Sequence, residues 1–201
     1  MAMQNEVKQK LGDVSGGALG LSQDVCRQVC DLLNTDLASE FVLYHQYKKH
    51  HWVVEGTEFA SLHKFLDTHA DGVREIADKT AERITYMHGV PYSKMSTMEQ
   101  KAFIQCEGDD VYDLRSMLEH DLQANITVVQ KFRQQVEQCQ GYKDFGTQFC
   151  LMEWITKHET WIHELDSLLA DESLSKGISL PGRAQQSDMR QGGLGGRPSG
   201  A

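Results

Sequence analysis

The sequence predicts an all-α fold in which four long amphipathic helices form a bundle, with a short extra helix in the loop between the second and third long helices. Three observations predict it. Apolar residues recur at spacings of three and four over four stretches of roughly thirty residues each; no stretch alternates as a half-buried strand would; and Gly or Pro stands where three of the four stretches end.

The first helix runs from Ser22 to about Trp52 on Val25, Val29, Leu32, Leu33, Leu37, Phe41 and Tyr44, and Gly56 stops it. The second runs from about Glu58 to Met87 on Phe59, Leu62, Phe65, Leu66, Val73, Ile76, Ala77 and Ile84, and closes with Gly89 and Pro91. In 96-STME-99 the Ser and the Glu have the spacing of a capping box, which places a short helix from there to about Cys106. The third long helix is expected to start near Asp109 or Asp110 and to end before Gly141, carrying Val111, Leu114, Met117, Leu118, Leu122, Ile126, Val129 and Phe132. The fourth runs from about Asp144 to Asp171 with Phe149, Met152, Trp154, Ile155, Trp161, Ile162, Leu165, Leu168 and Leu169. These helices make one bundle domain over 22–172. A flexible N-terminal tail is expected at 1–21, and a flexible Gly-rich tail at 173–201, where periodicity gives way to Gly, Pro and Ser.

Composition narrows the function. With 201 residues, 40% hydrophobic and 24% charged, the chain suits one soluble domain with a sizeable core. A formal net charge of −9 argues against gripping nucleic acid by charge alone and suits a protein that handles cations. The five cysteines, Cys26, Cys30, Cys106, Cys139 and Cys150, are odd in number and lack CxxC spacing, so neither a disulfide framework nor a zinc knuckle is indicated, and they read as reduced, mostly buried thiols. The N-terminus carries no apolar run of signal-peptide length and no membrane-length apolar run follows, so the expected compartment is the cytoplasm, with no membrane partner.

The second helix carries two pairs placed for metal binding. His63 and Asp67 stand four residues apart, as do Asp78 and Glu82, which puts each pair on one face, one turn apart. From His63 to Asp78 the helix turns through about 60° net, so both pairs look out in similar directions, yet they lie roughly 22 Å apart along the axis. No single metal can touch both. A second copy packed antiparallel across a two-fold axis would set His63 and Asp67 of one chain opposite Asp78 and Glu82 of the other, which predicts a dimer with two equivalent sites. His51, just before the Gly56 turn, can return to the same site as a further nitrogen ligand. Imidazole with several carboxylates suits iron, with zinc or manganese as competitors. A di-iron site inside one bundle would instead use Glu-x-x-His pairs, and no Glu in the chain is followed by His at that spacing.

The stretch HWVVEGTEFASLHKFLD, followed by Asp78-Lys-Thr-Ala-Glu82-Arg83, resembles the signature of the Dps family, the small-shell branch of the ferritin-like proteins. The likeness spans about Leu33 to Leu169 and is densest in NTDLASEFVLYHQYKKHHWVVEGTEF and DDVYDLRSMLEHDL, which look most like the DpsA subgroup. The resemblance implies a ferritin-like four-helix bundle assembled as a hollow dodecamer. It also implies a ferroxidase centre between two-fold-related subunits, with His51, His63 and Asp67 from one chain and Asp78 and Glu82 from the other. Its substrates would be Fe(II) and, preferentially, hydrogen peroxide, with the ferric product stored inside and the cell protected from oxidative damage. Trp52, beside the site, would intercept stray oxidising equivalents or pack at the interface.

The inlet for iron is less defined, because Gln148 sits where the family often has an acid lining the threefold pore; Asp144 is the best single candidate there, against a reading as an ordinary helix N-cap. Some relatives coat DNA through a lysine-rich N-terminal arm, but here Lys8 and Lys10 are balanced by Glu6 and Asp13. The tail from Ser173 holds Lys176, Arg183, Arg190 and Arg197 against Asp188, a net of +3, leaving −12 for the rest. Twelve such tails would add avidity while the acidic body opposed a polyanion, so the sequence ranks iron chemistry ahead of DNA binding.

Overall fold

The computed structural model describes residues 6–15 and 19–170; the tail expected at 173–201 lies outside the described residues. Among the described residues there are five helices and no strand: α1 (Gln23–Val53), α2 (Phe59–Tyr86), α3 (Met95–Lys101), α4 (Leu114–Tyr142) and α5 (Phe145–Leu169). Side-chain caps start three of the long ones. Ser22 accepts from the Val25 amide, Asp113 from Ser116 and Asp144 from Thr147. Each cap satisfies one of the amides that a helix start leaves without a partner and contributes about 1 kcal/mol.

The helices pair by sequence proximity. α1 packs chiefly on α2 and α4 on α5, while the long connection from residue 87 to 113 crosses between the pairs and lays α3 against α1. The buried stripes of α1, α2, α4 and α5 meet in a core that includes Leu33, Leu37, Leu66, Ile76, Leu118 and Phe132. Two glycines allow close approach. A Cβ on Gly72 would lie 2.5 Å from Trp161 Cζ2, and one on Gly89 would lie 2.6 Å from Cys30 Sγ. Gly72 therefore sits mid-helix in α2, at a propensity cost of about 1 kcal/mol, because the indole of α5 fills the space beside it.

The structure corrects two boundaries. The short helix starts at Met95 and ends at Lys101 rather than near Cys106, and its N-cap is Lys94, with no side-chain cap bond, rather than Ser96. The third long helix begins at Leu114, because Asp113 takes the cap. Val111, expected on its apolar face, is 68% exposed. Side chains instead hold the segment before α4: Ser39 Oγ accepts from the Phe103 amide at 3.0 Å, and Lys49 Nζ donates to Glu107 Oε1 at 2.7 Å. Residues before α1 also touch the bundle, for Gln9 Nε2 donates to the His88 carbonyl at 2.7 Å and Val14 is buried. No helix among the described residues is long and apolar enough to cross a membrane.

Candidate metal centre

The last two turns of α1 present four consecutive polar residues, Lys48, Lys49, His50 and His51, which are held by three parts of the fold: Lys48 and His51 by α2, Lys49 by the crossover segment, and His50 by that segment and α4. This happens because α1 ends in the middle of its neighbours: successive side chains, 100° apart, point in turn at α2, at the crossover segment and at α4. Lys48 Nζ pairs with Asp67 Oδ1 of α2 at 2.6 Å. His51 Nδ1 lies 2.8 Å from the His63 carbonyl oxygen, its ring 3.7 Å from that of His63, and 3.9 Å from Asp67 Oδ1. Phe59 packs on the other side of His63, with ring centroids 4.9 Å apart.

The structure thus brings His51, His63 and Asp67 together across the α1–α2 hairpin. A carbonyl can only accept, so Nδ1 of His51 carries a proton in this contact, which leaves Nε2 as the nitrogen that would face a metal. Asp67 is held below the usual carboxylate range, first by the hydrogen bond from Lys48, against a desolvation that opposes it, and then by the Lys48 charge and the two neighbouring imidazoles. Lys48 is the residue that the sequence reading missed. Its spacing from His51 is one helical turn, but in the run of basic residues at 48–51 nothing marks it as the one that reaches Asp67.

Asp78 and Glu82 lie farther along α2, both exposed, and no hydrogen bond or ion pair with another described residue engages either carboxylate. The structure does not bring them to His63 and Asp67 within one chain. Among the described residues, no three His, Cys, Asp or Glu side chains converge closely enough to hold a metal ion. Trp52 is 67% exposed beside His51. Asp144 sits elsewhere and is buried: Oδ1 accepts from the Thr147 amide at 3.0 Å and pairs with Arg83 Nη2 at 2.9 Å. Its carboxylate is a helix cap and an ion-pair partner, so a cation passing here would meet a charge already compensated.

A second polar cluster flanks the first. His50 reaches Asp121 Oδ2 at 2.8 Å from Nδ1 and Glu107 Oε1 at 2.7 Å from Nε2. Glu107 also takes Lys49 and His120. Burial would push the His50 imidazole down, but hydrogen bonds to Asp121 and Glu107 with their charges outweigh it, and its pKa is raised. An imidazole that donates from both nitrogens to carboxylates is a cation in a structural role, and it ties α1 to α4 and to the crossover.

The ferritin-like domain family matches residues 30–175 of the chain. The DNA protection during starvation protein of Halobacterium salinarum is 37% identical over 175 residues, which is 87% of this chain and 96% of that one. The nutrient stress-induced DNA-binding protein of a Nostoc species is 34% identical over 181 residues, 90% of this chain and 98% of the relative. Among solved structures, the archaeal Dps homologue from Halobacterium salinarum superposes with a TM-score of 0.81 over 85% of this chain and 96% of that one, at 37% identity. DpsC from Streptomyces coelicolor does so with a TM-score of 0.80 over 83% and 97%, at 28% identity.

Proposed function

The chain belongs to the Dps family of ferritin-like proteins, and from that premise we propose that it oxidises Fe(II) with hydrogen peroxide and stores the ferric product in a dodecameric shell. The observation that carries the reading is the half-site at the α1–α2 hairpin: two imidazoles and a carboxylate gathered on one face, with the unengaged acids Asp78 and Glu82 farther along the same helix. A two-fold axis across α2 would place the second pair of one subunit over the first group of its partner. His51, His63 and Asp67 would then bind Fe(II) together with Asp78 and Glu82 of the second subunit, an N/O set in which zinc would compete. Each peroxide accepts two electrons, one from each of two Fe(II), and its O–O bond breaks; both ingredients of hydroxyl-radical chemistry are consumed. Asp67 is ionised at neutral pH, and a cation would take the place of the Lys48 ammonium on it, while Trp52, exposed beside His51, would supply electrons to any stray oxidant.

The experiment is to add Fe(II) and peroxide to the purified protein and follow iron and protein together through size exclusion. The proposal expects iron to elute with a particle of about twelve subunits, and expects the Asp78→Asn, Glu82→Gln variant to form the particle but lose rapid iron oxidation. Iron that precipitates apart from the protein, or unchanged kinetics in the variant, would overturn it.

A second reading, DNA protection with minor iron chemistry, is favoured by the names of the two relatives above. Its test is a gel shift at low salt that vanishes on deleting 173–201; no shift even at low salt removes it.

A further inference from the structure

Between α1, α3 and the segment that follows α3 lies a cavity of about 570 Å³ whose wall gathers four soft or borderline donors: His45, Met95, Met98 and Cys106. We propose that this cavity binds a soft monovalent cation, Cu(I) or Ag(I), and that it is separate from the iron-binding group at His51, His63 and Asp67.

The local structure brings the four donors to the lining of the same cavity. Met95 and Met98 are three residues apart on α3, so their thioethers share a face, and α3 packs against α1. Cys106 follows on the strand of chain leaving α3 and is held against α1, its Sγ 3.2 Å from the Val42 carbonyl oxygen. His45, on the α1 side, stands edge-on to Tyr44 with ring centroids 5.2 Å apart, and no hydrogen bond with a described residue engages its ring nitrogens. Met98 is 4% exposed and anchors α3, whereas Met95 is 56% exposed on the single chain and lines the same cavity. Cys106 is the one exposed cysteine of the five, so its thiol can be reached from solvent.

The donor chemistry selects the ion. Thioethers are weaker ligands for a borderline ion such as Fe(II) than for a soft d10 monovalent ion, which accepts a low coordination number from sulfur and imidazole. A thioether-based set is also compatible with the absence, among the described residues, of any three converging His, Cys, Asp or Glu side chains. Burial and the neighbouring Glu107 carboxylate raise the Cys106 pKa, so the thiol arrives protonated and binding exchanges its proton for the metal: RSH + Cu⁺ gives RS–Cu + H⁺, with no change of oxidation state. Glu99 and Asp109, which also line the cavity, add a negative potential that draws a cation in, whereas Glu107 is already taken by Lys49, His50 and His120.

The test uses the full-length assembled protein without iron and without oxygen, titrated with Cu(I) against the chromophoric chelator bicinchoninate. The expected result is about one Cu(I) per chain withdrawn from the chelator, with sulfur in the copper X-ray absorption spectrum. Cys106→Ser, and separately Met95→Leu with Met98→Leu, which keeps the volume, should each weaken retention by about tenfold or more, while Cys150→Ser and His63→Ala leave it unchanged. Failure of the wild type to compete, or equal retention in both the cysteine and methionine variants, overturns the proposal; the second result would place the copper on other thiols.

Discussion

Removing the Asp144 carboxylate separates two jobs that one side chain performs. Asp144 is 2% exposed; it caps α5 through the Thr147 amide at 3.0 Å and pairs with Arg83 of α2 at 2.9 Å. Asp144→Ala loses the cap, about 1 kcal/mol, and leaves a guanidinium without its partner. A fully buried orphan charge costs about 3–5 kcal/mol, but the Arg83 side chain is 14% exposed and still donates to Thr147 Oγ1 at 2.9 Å, so water and the hydroxyl recover part of it. The sum is about 2–4 kcal/mol for Ala. Asp144→Asn keeps an acceptor for the cap and removes only the charge, which leaves about 1–2 kcal/mol. Thermal unfolding followed by circular dichroism at one fixed protein concentration reads both, since the proposed assembly would make Tm depend on concentration. Ala should lower Tm by on the order of 10 °C and Asn by about half as much. If both variants melt within about 2 °C of wild type, the pair contributes nothing, and the carboxylate is free to serve the iron inlet instead.

Gly72→Ala should destabilise the fold in spite of the better helix propensity of Ala, because overpacking against Trp161 at 2.5 Å costs about 1–3 kcal/mol against a gain of about 1; a rise in Tm with unchanged tryptophan fluorescence would refute the close packing. His50 has a folded-state pKa raised above 6.5, so its contribution is fully present below 6.5 and is lost as pH rises through the folded value. The stability difference between wild type and His50→Gln, measured by urea unfolding across that window, should therefore shrink with rising pH; a difference that grows would show that His50 is held neutral.

The helices were legible because their burial is periodic, and so was the approach of His51 to His63, since a hairpin closed at Gly56 returns α2 past the end of α1. What escaped the sequence was set by side chains acting across elements. The start of α4 depends on which of three acids caps it, and Asp113 wins because Asp109 and Asp110 belong to a segment anchored through Glu107 to Lys49 and His50. The buried polar groups of α1 were visible in principle: Asp36, Glu40 and His50 fall on the same stripe as Leu33, Leu37, Leu43 and Tyr47, and an acid on an apolar face signals a partner inside. Asp36 finds Gln135 at 2.7 Å, and Glu40 stands 3.2 Å from His158 Nε2. Nothing along the chain names those partners, because α4 and α5 supply them from about a hundred residues away.

Subunit complementation tests the central claim most directly. His63→Ala breaks one half of the proposed iron site, and Asp78→Asn with Glu82→Gln breaks the other, so shells of either variant alone should oxidise iron slowly with peroxide. In shells refolded from an equal mixture, a site shared between two subunits is intact when its imidazole half comes from one variant and its acidic half from the other, which restores about a quarter of the wild-type rate. A mixture no faster than the two variants alone would contradict a site built across the two-fold interface.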